Sequence, residues 1–255
     1  MKRKIENDKF EIITPQEMEN EDKPKKMCLQ KRTSCIRCGT CCKGSGPSLL
    51  KKDLDLFTSG VLSHENTYTI RAGELVRSHE DGQIYESFME IIKIRGKENS
   101  PVCIFYSDDG GCGIYGNRPL QCRQYKCWQR ADLYGGLQKN ALVRKELFGS
   151  VDVLLDIIAK HEEKCSYGAL SAAFESLAGG DENAVEEIMD MLQYDTYIRP
   201  FLVEKLSVPD DALCLILGRP LTESVNEFGF RVVREGDDYI LLPVENKEEQ
   251  KQEEG

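Results

Sequence analysis

Eight of the chain's eleven cysteines fall into two groups whose spacing suits chemistry at sulfur. The first reads Cys35-Ile-Arg-Cys38-Gly-Thr-Cys41-Cys42, and the second comprises Cys103, Cys112, Cys122 and Cys127. A gap of two residues lets a tight turn aim two sulfurs at one metal, and Gly39 allows the backbone angles such a turn needs. Zinc sites use this spacing, and so do iron–sulfur sites. Cys41 and Cys42 are adjacent, so both sulfurs cannot easily face one tetrahedral ion. One of them is expected to serve a second metal, bridge two metals, or support the site from behind. The two groups would fill two zinc sites, or hold one cluster with the remaining cysteines structural; the spacing leaves both open.

The charge pattern around these cysteines points the same way. From Lys23 to Lys52 there are nine Lys or Arg and no acid, in a chain whose net charge is −10. From Ile114 to Arg130 there are Arg118, Arg123, Lys126 and Arg130, again without an acid. Four thiolates on Zn²⁺ leave about two negative charges, and nearby cations offset them and lower thiol pKa values. The alternative is a solvated basic face. The acidic balance argues against nucleic acid as a general partner, which leaves a metal ion as the expected ligand and the protein partner open.

No stretch approaches the roughly 20 apolar residues of a membrane helix. The opening MKRKIENDKFEII lacks an apolar run and a small-residue cleavage site, so it does not resemble a secretory signal. These observations lead us to expect a cytoplasmic protein, where clustered cysteines favour metal binding over disulfides. Cys28, Cys165 and Cys214 stand apart and are expected to be an exposed tail thiol and two buried small hydrophobes.

The elements that must position the cysteines follow from periodicity. The fold class expected is α+β: a small cysteine-rich α+β domain, then a mostly helical region closed by a β-hairpin. Residues 1–27 read as a disordered charged arm, 28–130 as the metal-binding domain, 131–244 as the helical region and 245–255 as a disordered acidic tail. Ser48 is expected to cap a helix through Phe57. Strands are expected at Tyr68–Arg71, Ile84–Phe88, Met89–Ile94 and Val102–Tyr106. Asp108-Asp109-Gly110-Gly111 signals a turn that brings Cys112 back beside Cys103. Asn117 is then expected to cap a short helix carrying Cys122, with Pro119 in its first turn. Later helices are expected over Ala141–Lys164, Tyr167–Ala178, Asp181–Leu206 and Pro209–Leu217, with a bend near Pro200. A hairpin from Phe230–Arg234 to Tyr239–Pro243 closes the chain.

At these residues the chain resembles the YkgJ-type cysteine-cluster family, the CxxCxxCC proteins described as zinc- or iron-chelating. The resemblance rests on Cys35-x-x-Cys38-Gly-x-Cys41-Cys42, on Cys103-Ile-Phe-Tyr before Cys112-Gly-Ile-Tyr, and on Arg118-Pro-x-x-Cys122-Arg. It spans roughly residues 35–130 and implies metal binding through Cys35, Cys38, Cys41, Cys42, Cys103, Cys112 and Cys122; Cys127 goes beyond the minimal pattern. A related domain occurs in flagellin lysine N-methylases, where an iron–sulfur centre is implied, but the motifs do not carry the methylase activity over. The cofactor expected is therefore Zn²⁺ or an iron–sulfur cluster such as 4Fe-4S.

The remaining candidates have plainer readings. His161 and Cys165 are four apart on one helix face and would suit a metal, yet an exposed histidine and a buried thiol are the simpler expectation. His64 and His79 sit in polar loops. Trp128 is expected to shield the site, and Tyr106, Tyr115 and Tyr125 to pack around it. No glycine-rich phosphate loop, serine elbow or triad is present, so no catalytic residue follows and enzymatic activity stays open. Three functions compete: a structural, carrier or sensing metal protein; an iron–sulfur redox protein or enzyme; and a zinc-based module for an acidic partner.

Overall fold

The β-branched runs Thr67-Tyr-Thr-Ile and Ile91-Ile-Lys-Ile pair as antiparallel strands, with Ile92 and Ile94 almost wholly buried. The computed structural model describes residues 3–6, 9–12, 34–77, 82–98, 100–126, 140–235 and 238–244. The strands in chain order are β1 (Arg3–Glu6), β2 (Lys9–Ile12), β3 (Thr67–Ile70), β4 (Leu75–Arg77), β5 (Ile84–Glu86), β6 (Ile91–Ile94), β7 (Tyr106–Ser107), β8 (Gly111–Cys112), β9 (Phe230–Glu235) and β10 (Asp238–Pro243). The helices are α1 (Thr40–Gly44), α2 (Leu54–Thr58), α3 (Leu120–Gln124), α4 (Arg144–Leu147), α5 (Asp152–Lys164), α6 (Tyr167–Ala178), α7 (Ala184–Leu206), α8 (Leu213–Ile216) and α9 (Leu221–Ser224). The strands form small antiparallel sheets, β2-β1-β5-β4, β3-β6, β7-β8 and β9-β10. The architecture is α+β.

The chain divides into two compact units: Met1–Ile157 with Asp210–Gly218, and Ile158–Pro209 with Arg219–Gly255. In the first unit Leu49, Leu62, Ile92, Ile94, Leu142 and Leu215 form a core that also takes in Cys103 and Tyr106. Backbone bonds tie three distant segments around it: Leu49 N–H donates to Ile92, Leu142 N–H to Leu49, and Ile94 N–H to Pro47. A side chain at Gly46 would run into the Ile94 carbonyl, so only glycine fits there.

In the second unit Ser166 caps α6, its hydroxyl accepting from Ala169 N–H. Leu170, Phe174, Ile188, Leu192, Leu221 and Val225 build the core, and Phe174 stacks on Phe228. Asp195 is buried and accepts from His161, Arg199 and the Leu221 N–H. Burial pushes its carboxyl up. The His161 hydrogen bond and the Arg199 guanidinium outweigh that and hold it at about 2.

Several local expectations need correction. Ser48 sits in a β-bridge to Lys93 instead of capping a helix, which begins later at Leu54 after a 3₁₀ turn. The strand expected at Val102–Tyr106 shrinks to Tyr106–Ser107, because the preceding backbone turns to bond Tyr106 N–H to Cys103. The long helix expected over Ala141–Lys164 is split into α4 and α5. Strand β1 pairs with both β2 and β5.

Candidate metal centre

Gly39 is where the first cysteine group turns into a helix. Its φ of 78° lies in the left-handed region, and a side chain there would collide with the Tyr106 ring. The close approach lets α1, carrying Cys41 and Cys42, lie against the β7-β8 hairpin. Lys43 fixes the contact, pairing with Asp108 at 2.7 Å while its ammonium stands 5.5 Å from the Tyr106 ring centre. A backbone bond of 2.7 Å from Cys103 N–H to the Cys42 carbonyl joins the two cysteine groups directly.

The hairpin places its cysteines as its turn residues dictate. Tyr106 pairs with Cys112, and Gly113 N–H donates to Phe105. Cys103 is buried against the core. Cys122 lies on α3, and α3 is pinned by two long-range bonds. Ser48 N–H donates to the Gln121 side-chain oxygen at 2.7 Å. Leu120 N–H donates to the Asp53 carboxylate at 2.8 Å, while the other Asp53 oxygen accepts from Leu50 N–H at 2.9 Å. Asp53 is fully buried. The cap expected from Asn117 is thus supplied by Asp53, from the other side of the core; Asn117 itself ends a 3₁₀ turn.

Cys42 and Cys122 each lie within electrostatic reach of Cys41, Cys103 and Cys112. The Cys42 thiol shares a hydrogen bond with Cys41. That bond, helped by Arg118 and opposed by burial, pulls Cys41 down to about 6. The same bond, then burial and the neighbouring sulfurs, drives Cys42 up. Burial first, then the other cysteines, pushes Cys122 up to about 12, with Arg118 acting against it. Burial also raises Cys103. The raised thiols, Cys42, Cys103 and Cys122, ionise readily only when a cation offsets the charge, which is what a thiophilic metal supplies. Cys35, Cys38, Cys41, Cys42, Cys103, Cys112 and Cys122 are all free of disulfides.

Cys35 and Cys38 sit on the loop leading into α1. Cys35 sulfur accepts from Arg37 N–H at 3.4 Å, and Cys38 sulfur lies 3.4 Å from the Thr40 hydroxyl. Among the described residues no three cysteine sulfurs all lie within 4.8 Å of one another. A tetrahedral zinc cage with arms of about 2.3 Å needs them about 3.8 Å apart. Closing such a cage therefore requires side-chain rotation. Cys127, with Cys28, Trp128 and His79, lies outside the described residues.

The arginines take positions the sequence only hinted at. Arg37 and Arg118 each stand 3.7 Å from the Tyr115 ring centre, so both cations rest on this one ring. Arg118 also donates to the Tyr115 carbonyl. Arg37 itself has a φ of 58°, an uncommon conformation for a residue other than glycine. Cys165 is not part of this region: it is buried in the second unit and donates to Met191, while His161 bonds Asp195.

Residues 34–146 match the CxxCxxCC family model, described as "Putative zinc- or iron-chelating domain". This segment is similar to that domain family over 113 of the chain's 255 residues. No curated protein and no solved structure matches the chain. The matched segment contains every cysteine of both groups, and the family's description agrees with a donor set of thiols suited to Zn²⁺ or to iron. Among the described residues, no helix is long and apolar enough to cross a membrane.

Proposed function

We infer that this chain is a cytoplasmic metal-binding protein whose clustered thiolates chelate zinc or iron in a structural, carrier or sensing role. The ligands assigned are Cys35, Cys38, Cys41, Cys42, Cys103, Cys112, Cys122 and Cys127. One observation supports the reading: the backbone bond of 2.7 Å from Cys103 N–H to the Cys42 carbonyl joins the two cysteine groups. Thiolates in surplus over histidine favour a closed site or a cluster rather than an open catalytic zinc. A bound zinc would cross-link the three segments, whereas an iron–sulfur cluster would add electron transfer. Asp53, Gln121 and Gly39 position the sulfurs, and Arg118 offsets their charge.

The test is metal and sulfide analysis of protein purified under nitrogen, with a visible spectrum of the same sample. Zinc without iron, in colourless protein, supports closed thiolate sites. Iron with matching sulfide, and a brown colour that bleaches in air, supports a cluster and turns the search toward redox chemistry. Protein that holds neither metal and titrates with all its thiols free overturns the reading.

A further inference from the structure

A second set of metal-ligating side chains lies in the first unit, away from every cysteine group in sequence. His64 and Glu65 belong to the 3₁₀ turn His64–Asn66, and Asp211 to the 3₁₀ turn Asp210–Ala212. One ligand atom from each of the three lies within 4.8 Å of the others. His64 Nε2 stands 3.1 Å from Asp211 Oδ1. Ligands held about 2.1 Å from one ion are about 3.0 Å apart at an octahedral edge and about 3.4 Å at a tetrahedral one. The His64–Asp211 separation falls between the two. His64, expected in a polar loop, is open to solvent as one member of a nitrogen–oxygen–oxygen triad.

The backbone beneath the triad is held in place. Arg95 donates from Nε to the Thr67 carbonyl at 2.8 Å, and from one terminal nitrogen to the carbonyls of Asp211 at 2.7 Å and His64 at 3.4 Å. One guanidinium therefore links both ligand-bearing turns. Its donors meet carbonyl oxygens, which leaves the Asp211 carboxylate to face His64. Its positive charge opposes a bound cation, but the two carboxylates of Glu65 and Asp211 outweigh it. The first turn is also fixed from within: Ser63 N–H donates to the Asn66 side chain, Asn66 donates back to the Ser63 hydroxyl, and Thr67 donates to the Ser63 carbonyl. A site built this way needs little ordering when an ion arrives.

We propose that His64, Glu65 and Asp211 form a second divalent-cation site that takes a first-row ion of the Mn²⁺ class. One imidazole nitrogen and two carboxylate oxygens favour such ions over the soft ions that thiolates select. All three side chains are partly or fully open to solvent, so water completes the coordination. The ion would fasten segment Asp210–Gly218 to the rest of the first unit, to which that segment returns after a long excursion. The site is independent of the cysteine centre and stands or falls separately from it.

Mn²⁺ is the probe, because thiolates compete poorly for it. The full chain, loaded with the metal it carries on purification, is titrated with Mn²⁺, and the free ion is followed by its paramagnetic resonance signal. Saturable binding of about one Mn²⁺ per chain is expected, weakened about tenfold or more in His64→Gln and in Asp211→Asn, as loss of a metal contact weakens other sites. Glu182→Gln, an exposed change in the second unit, should bind Mn²⁺ as the unaltered chain does. Mn²⁺ should also raise the melting temperature of the unaltered chain and not that of His64→Gln, because only a ligand that prefers the folded state stabilises it. This second readout separates metal binding from the His64–Asp211 contact, whose loss shifts both melts equally. No saturable binding, or equal binding in the unaltered chain and both variants, overturns the proposal.

Discussion

Replacing Asp53 by Asn tests whether α3, and Cys122 with it, is held by one buried carboxylate. Both oxygens of Asp53 are in use: one accepts from Leu120 N–H at 2.8 Å, the other from Leu50 N–H at 2.9 Å, at a position with no exposure. Asn keeps the shape but offers one acceptor, so one backbone N–H must face an amide N–H. A hydrogen bond to a charged group contributes about 1.5–3 kcal/mol, and an unsatisfied buried donor costs a similar amount. The expected loss is about 2–3 kcal/mol, a large share of the roughly 5–15 kcal/mol that holds a typical domain. Urea unfolding of the metal-free chain reads it directly, as a lower midpoint at unchanged slope. Because Leu120 opens the helix that carries Cys122, the same variant should also retain less metal under mild chelation, whereas a surface change such as Glu182→Gln should not. A midpoint within about 0.5 kcal/mol of the unaltered chain, the range of ordinary surface substitutions, would refute the assignment.

Three further outcomes follow from separate features. Gly39→Ala puts a side chain into the Tyr106 ring at a φ of 78°, so it should cost at least about 1–2 kcal/mol in thermal unfolding and reduce bound metal. In metal-free protein Cys41, held down to about 6, should be the first thiol alkylated at pH 7 by limiting iodoacetamide, with Cys122 at about 12 among the slowest, as peptide mapping would show. Asp195, held at about 2 against an ordinary value near 3.9, contributes about 2 kcal/mol that is fully present above about pH 4 and lost as pH falls toward 2. Unfolding of the second unit followed between pH 5 and pH 2 should show that loss, and Asp195→Asn should flatten it.

The cysteine spacing makes the ligand class legible from sequence, because tight turns around two-residue gaps leave few other uses for so many thiols. Helix α6 is legible to the residue, since Ser166 caps its start and the apolar spacing stops at Gly179-Gly180. The C-terminal hairpin is legible as two alternating runs around a turn. Local pattern misleads at short elements, where a single tertiary bond outweighs local preference. Ser48 looks like a helix cap, but its N–H is taken by Gln121 and its backbone bridges Lys93. Asn117 looks like a cap beside Pro119, but the Leu120 donor goes to Asp53.

Asp53 shows why the site's architecture stays hidden when its ligands do not. In sequence it is an ordinary acid after two lysines, and nothing local distinguishes it from Asp55. Its role appears only when the chain brings Leu120 within reach, many residues later. The same holds for Tyr106 against Gly39 and for the Cys103-to-Cys42 backbone bond. A thiolate centre assembled from three segments needs non-ligand residues to fix where each segment lies, because sulfur spacing controls geometry only within a segment. Substitution at Asp53 or Gly39 should therefore lower metal retention while every cysteine remains in place. Loss of a ligand changes how many sulfurs bind; loss of a positioning residue changes only how tightly the full set holds.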